Sequence, residues 1–182
     1  MAQKATVFKA ELQISDLDRH YYQTHALTLA RHSSETDERM MVRLIAFALH
    51  ADPTLSFGNG ISASDEPDLW QRDLTGAITL WIDVGLPEPK LLRRAAGRSG
   101  QVVVYAYGRS ADQWWSQHRT ELNRIDNLAV FRIVTESTLA LAAIAERTMR
   151  VQCLIQDGVL SITVNDATFE IGIEAIKAVG RR

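Results

Sequence analysis

The stretch Ile78-Thr-Leu-Trp-Ile-Asp-Val84 decides the reading of this chain. It is almost wholly apolar, as a strand covered on both faces must be. One carboxylate, Asp83, interrupts it. Side chains alternate along a strand, so Asp83 shares a face with Thr79 and Trp81. An unpaired buried carboxylate is costly, which puts Asp83 at the strand end beside a partner or a cation. A turn residue ahead of Gly85 is the competing role. Upstream, residues 68–74 pair with this strand as a hairpin around Thr75-Gly76. Downstream, Pro87-Glu-Pro-Lys90 opens a helix running to about Arg98, because proline is tolerated in a first helical turn. Gln101-Val-Val-Val-Tyr-Ala-Tyr107 is the next strand.

Helices and strands alternate on either side of this segment. A helix is expected over 33–50, with Ser34 capping it and Asp37 three residues on in a capping-box arrangement. Met41, Leu44, Ile45 and Ala48 form its apolar stripe. A short strand and the polar loop Ser62-Ala-Ser-Asp-Glu-Pro67 follow. Residues 110–124 read as a helix, 128–134 as a strand and 136–148 as an Ala/Leu-rich helix. Residues 4–15 and 20–31 form an N-terminal hairpin. The tail from Arg150 to about Ile173 makes two or three strands with an Asp157-Gly158 hairpin turn. This order predicts an α/β fold with a mixed central sheet, flanking helices and extra antiparallel strands at both termini.

The chain has 182 residues, 46% of them apolar. That supports a real core and one domain spanning 1–182, since a domain usually holds about 100–200 residues. The single cysteine, Cys153, excludes an intrachain disulfide framework and a multi-cysteine zinc site; its apolar strand pattern predicts an inert buried thiol. No apolar run is long enough for a transmembrane helix, and the N-terminus lacks the apolar segment of a signal peptide. A cytoplasmic location is expected. The net charge of −2 gives no bulk attraction to nucleic acid, so such a partner must meet a local basic patch.

Four residues are candidates for chemistry. Glu38 falls in a first helical turn, on the same face as Met41 and Ile45; an acid favoured by the helix dipole is the plain alternative. Asp68 begins the hairpin whose other strand ends at Asp83. Lys90 lies five residues beyond Gly85, on a helix where Lys90, Arg94 and Arg98 repeat at four-residue spacing and Arg93 lies adjacent. That stripe is either a solvated face or a phosphate-contacting one. His20, His25, His32, His50 and His118 show no paired ligand spacing and read as structural or surface residues. Trp114-Trp115 suits a core or interface role better than base stacking. No Walker A or dinucleotide glycine pattern is present.

Pro67-Asp68 followed by Asp83 on a second strand resembles the PD-(D/E)XK nuclease pattern, and Glu38 matches the acid that this fold often places on the preceding helix. Residues 21–32 (YYQTHALTLARH), 34–44 (SETDERMMVRL), 66–70 (EPDLW), 81–85 (WIDVG) and 97–108 (GRSGQVVVYAYG) look like the bacterial YaeQ family. The resemblance covers essentially the whole chain. It implies a variant of the PD-(D/E)XK nuclease-like fold. The nuclease pattern wants Asp/Glu-X-Lys, whereas this chain has Asp83-Val84-Gly85; Lys90 on the following helix is the natural replacement. Gln101-Val-Val-Val-Tyr105 matches a Gln-X-X-X-Tyr element of some relatives, but here it reads as a strand.

The resemblance implies a metal-dependent nuclease or phosphodiesterase. Asp68, Asp83 and Glu38 would hold Mg²⁺, with Mn²⁺ as a substitute, because this cation takes oxygen ligands and keeps waters. Lys90 would orient the nucleophile or stabilise developing charge. Arg94 and Arg98 would hold flanking phosphates, and Glu88 is a lesser carboxylate near the same strand end. The alternative is a non-catalytic module of the same fold that binds nucleic acid or a protein partner. Gly85 and the acidic balance motivate that alternative.

Overall fold

The computed structural model describes residues 5–59 and 65–180. From the N-terminus the elements are β1 (Thr6–Asp16), β2 (Tyr21–Arg31), α1 (Asp37–His50), β3 (Leu55–Phe57), β4 (Leu69–Arg72) and β5 (Ile78–Val84). Then follow α2 (Pro89–Ala96), β6 (Ser99–Ala106), α3 (Ala111–Leu122), β7 (Leu128–Ile133) and α4 (Thr135–Ala143). The chain ends in β8 (Thr148–Gln156), β9 (Val159–Val164), β10 (Ala167–Ile171) and β11 (Ile173–Lys177). These elements form two compact units, residues 1–49 with 136–172 and residues 50–135 with 173–182. The polar loop expected over 62–67 lies partly outside the described residues.

The first unit is built on a five-stranded sheet ordered β10-β9-β8-β1-β2. β1 pairs antiparallel with β2 and parallel with β8. Alternation in β1 sends Phe8, Ala10, Leu12 and Ile14 to the buried face, joined by Met149, Val151, Cys153 and Ile155 of β8. The expected Asp157-Gly158 turn is there, with φ of 53° and 76°, the primed geometry that matches strand twist. The Asp18 carboxylate accepts the amides of Asp157 and Gly158, each at 2.8 Å, and so ties two hairpin turns together. The terminal strands thus make a sheet of their own rather than extending the central one; only β11 joins the latter. Hydrophobic periodicity marks strands but does not say which strands pair.

Helix α1 begins later than expected. Thr36 Oγ1 accepts the amide of Arg39 at 3.1 Å, so Thr36 rather than Ser34 caps the helix. Asp37 instead pairs with Arg31 at 2.9 Å. The segment before the helix is held by Glu35, whose carboxylate takes Arg43 Nε at 2.8 Å and Arg43 Nη2 at 2.9 Å. Met41, Leu44, Ile45 and Ala48 are buried as expected, and so are the remaining residues from Met40 to Ala48.

The second unit is built on a six-stranded sheet ordered β11-β7-β6-β5-β4-β3. Its middle is parallel, β5 to β6 and β6 to β7, and its flanks are antiparallel. The sheet is therefore mixed, as the element order predicts. On one face Trp81, Val102, Val104 and Val130 meet Leu92 and Ala95 of α2 and Trp114 and Leu122 of α3. Trp114 is core, and its indole Nε1 donates to the carbonyl of Pro87 at 3.0 Å, pinning the β5–α2 connection.

Candidate functional site

The candidate site is built where β4 begins and β5 ends. Leu69 pairs with Ile82 and Trp70 with Trp81, so Asp68, just ahead of β4, lies toward the end of the hairpin where β5 reaches Asp83. The Asp68 amide donates to the Ile82 carbonyl at 3.0 Å, one residue out of the register that pairs Leu69 with Ile82. Its carboxylate then turns back, and Oδ2 accepts the amide of Val84 at 2.8 Å. Asp68 is 3% exposed. A buried carboxylate is tolerated when such a donor satisfies it.

Asp83 is half-buried and shares the α2 face of β5 with Trp81. The Trp81 indole Nε1 donates to Asp83 Oδ2 at 2.9 Å and orients that carboxylate. Gly58 makes room for this corner. Its amide donates to the Asp68 carbonyl at 2.9 Å, and a Cβ there would stand 2.1 Å from the carbonyl oxygen of Pro67.

At Gly85 the strand stops. Its φ is +102°, a region that residues with a Cβ rarely enter. Its amide donates to the Tyr105 carbonyl at 2.9 Å, so the chain leaves the sheet immediately after its last ladder bond. The nuclease pattern's lysine would fall at this residue, and the backbone explains why a glycine stands there. Lys90 lies exposed in the first turn of α2, and Glu88 is the exposed residue flanking that helix on its N-terminal side. Glu38 belongs to the first unit, half-buried in the first turn of α1.

Helix α2 ends at Ala96, short of the expected Arg98, and the basic stripe divides in use. Arg94 pairs with Asp65 and Arg93 with Glu121, both at the surface. Arg98 instead lays its guanidinium 5.7 Å from the Trp81 ring centre. Arg98 therefore stands on the ring that orients Asp83.

The chain as a whole has clear relatives. The family model described as YaeQ protein matches residues 1–173. The chain belongs to the YaeQ family. It is 40% identical over 176 residues to the uncharacterized protein YaeQ of Escherichia coli (strain K12), covering 96% of this chain and 97% of that one. The YaeQ of Salmonella typhi is 42% identical over 175 residues, with 96% of each chain covered. Among solved structures, the YaeQ protein of Xanthomonas axonopodis pv. citri aligns with a TM-score of 0.92 at 48% identity, covering 96% of this chain and 99% of that one. The Pseudomonas syringae YaeQ protein aligns with a TM-score of 0.93 at 32% identity, over 97% and 98% of the two chains.

Three features of this YaeQ chain escape a reading of the sequence. Glu35 and Arg43 form a buried ion pair, 5% and 4% exposed, with Arg39 adding a contact to Glu35 at 3.0 Å. The eight-residue spacing of Glu35 and Arg43 matches no helical contact rule, because Glu35 precedes the helix. Trp70 stands edge-to-face against Trp81, with ring centres 6.5 Å apart. Arg72 packs 3.9 Å over Trp70. The alternation of Trp70 and Arg72 within a hairpin was the available signal, since strand neighbours two apart share a face.

Proposed function

We propose that this protein is a divalent-cation-assisted phosphodiesterase acting on nucleic acid. One observation carries the reading: β4, which Asp68 immediately precedes, pairs antiparallel with the end of β5 that holds Asp83, and from that end the chain passes into the basic helix α2. The element order α1-β3-β4-β5-α2-β6 supports it, since helix, strands, helix and strand is the order of the PD-(D/E)XK core.

The donor chemistry suits Mg²⁺ or Mn²⁺, which favour carboxylate oxygens and retain waters. Among the described residues no three His, Cys, Asp or Glu side chains group as ligands, so water would complete the shell of Asp68 and Asp83. Such a cation, when bound, polarises a phosphate and acidifies a water. The Val84 amide and the Trp81 indole hold the two carboxylates in place. Lys90 would supply positive charge to the phosphoryl oxygens. Arg94 and Arg98 would take flanking phosphates, Arg94 after giving up a surface ion pair worth about 0–1 kcal/mol.

Cleavage of labelled DNA and RNA strands, with Mn²⁺ titrated by calorimetry, tests the reading. The wild type is expected to bind Mn²⁺ and cleave, with Asp83→Asn losing both and Lys90→Ala losing cleavage alone. Glu38→Gln tests the third carboxylate named by the resemblance. Cleavage unchanged in Asp83→Asn or in chelator would overturn the proposal.

A second reading, a non-catalytic module of the same fold, draws support from Gly85 and its positive φ. It predicts binding of nucleic acid or of a protein without turnover under any divalent cation.

A further inference from the structure

The two arginines that pack on tryptophan differ from their neighbours. Arg93 and Arg94 are each matched by a carboxylate, whereas among the described residues neither Arg72 nor Arg98 takes part in an ion pair. Both are exposed. Each guanidinium is held by a ring, Arg72 at 3.9 Å from the centre of Trp70 and Arg98 at 5.7 Å from that of Trp81. An aromatic face orients a guanidinium without cancelling its charge, leaving the donors for an anion. The two rings are register partners on one face of the β4–β5 hairpin. Trp81 is buried, but Trp70 is only half-buried, on the strand next to β5 and away from the α2 contacts. The same face carries Asp83, bonded to Trp81.

We propose that Arg72, Trp70 and Arg98 form a binding strip for single-stranded nucleic acid that leads to Asp83. It rests on the phosphodiesterase reading for what happens at Asp83 and narrows the substrate to an unpaired strand. Phosphates recur along a strand while bases project from it, so a strip with arginines at both ends and a ring between them matches both parts, a base taking the Trp70 face as Arg72 swings from it to a phosphate. A duplex keeps its bases stacked on one another and offers nothing to Trp70. An acidic chain with a net charge of −2 needs such a local patch to hold a polyanion at all.

Fluorescence anisotropy with a labelled oligothymidine of about 15 nucleotides, in EDTA, tests this apart from any hydrolysis. The wild type is expected to bind the single strand, quench its tryptophan emission, and bind a duplex of equal length more weakly. Trp70→Ala should weaken binding about tenfold, the loss of one stacked base. Arg72→Gln and Arg98→Gln should weaken it and each lower the salt slope by about 1. Trp70→Phe, which keeps a ring and the fold, should bind with most of the quenching gone. Equal binding of duplex, or variants that bind as the wild type does, would overturn the strip. Binding with these dependences but without Mn²⁺-dependent cleavage keeps the strip and removes hydrolysis. Cleavage by a protein whose binding ignores the three residues does the reverse.

Discussion

The Asp68 carboxylate accepts the Val84 amide at 2.8 Å, standing where a main-chain carbonyl of β4 would stand had the strand begun earlier. One residue on, the Gly85 amide points the other way, to the Tyr105 carbonyl in β6. A side chain thus completes the ladder on one edge of β5 and main chain completes it on the other.

Asp68 should therefore matter to stability as well as to any cation. Asp68→Ala strands a buried amide and is expected to lose about 1–3 kcal/mol in urea unfolding. Asp68→Asn keeps an acceptor for Val84 and should lose less, while Mn²⁺ affinity falls in both. If the alanine variant is as stable as the wild type, the ladder role is wrong.

Gly85→Ala should cost about 1–3 kcal/mol from backbone strain alone, because no atom lies within 4 Å of the added Cβ. Gly85→Lys should be similarly destabilised and gain no cleavage, although it restores the Asp-X-Lys spelling. Gly58→Ala should be worse than either, since its Cβ meets the Pro67 carbonyl oxygen at 2.1 Å. Thermal melts of the three variants rank these effects.

Breaking the buried Glu35–Arg43 pair by Glu35→Gln should cost about 3–5 kcal/mol, because Arg43 is left buried without its carboxylate. The double change Glu35→Leu with Arg43→Met should lose less than the two single changes summed. A double-mutant cycle measures the difference. Additive losses would mean that the two side chains do not depend on each other.

Burial pushes the Cys153 thiol up to about 12, from an ordinary value of 9.0. The folded protein should resist iodoacetamide at pH 8 and react only when unfolded. The raised value contributes stability that is complete below pH 9.0 and disappears as the pH climbs toward about 12, since only the unfolded thiolate forms in that window. His25 runs the opposite way. Burial lowers its value below 6.5, so its contribution is present above that pH and is lost on acidification. An NMR titration of the His25 ring should give a midpoint below 6.5; a midpoint above it would contradict the burial argument.

Much of this was legible in the residues. The apolar run at Ile78–Val84 is a central strand, flanked by β4 and β6 as the hairpin and helix signals indicate. Buried Cys153 and core Trp114 followed from their patterns. The start of α1 did not, because Ser34 and Thr36 are both good caps and the anchoring of Glu35 by Arg43 favours the later one.

Local periodicity and turn chemistry sit in short stretches of chain, and the sequence alone therefore determined most of the strands and helices and the Asp157-Gly158 turn, though not β11 or the ends of α2 and α4. Pairing is a matter of distant residues meeting. Only the tertiary structure decided that β1 and β2 join β8 to β10 in a separate sheet, that the Asp68 carboxylate serves the Val84 amide, and that Arg72 and Arg98 rest on tryptophans while Arg93 and Arg94 find carboxylates. Each of those outcomes depends on strand register and on contacts across many residues, which a one-dimensional pattern does not encode.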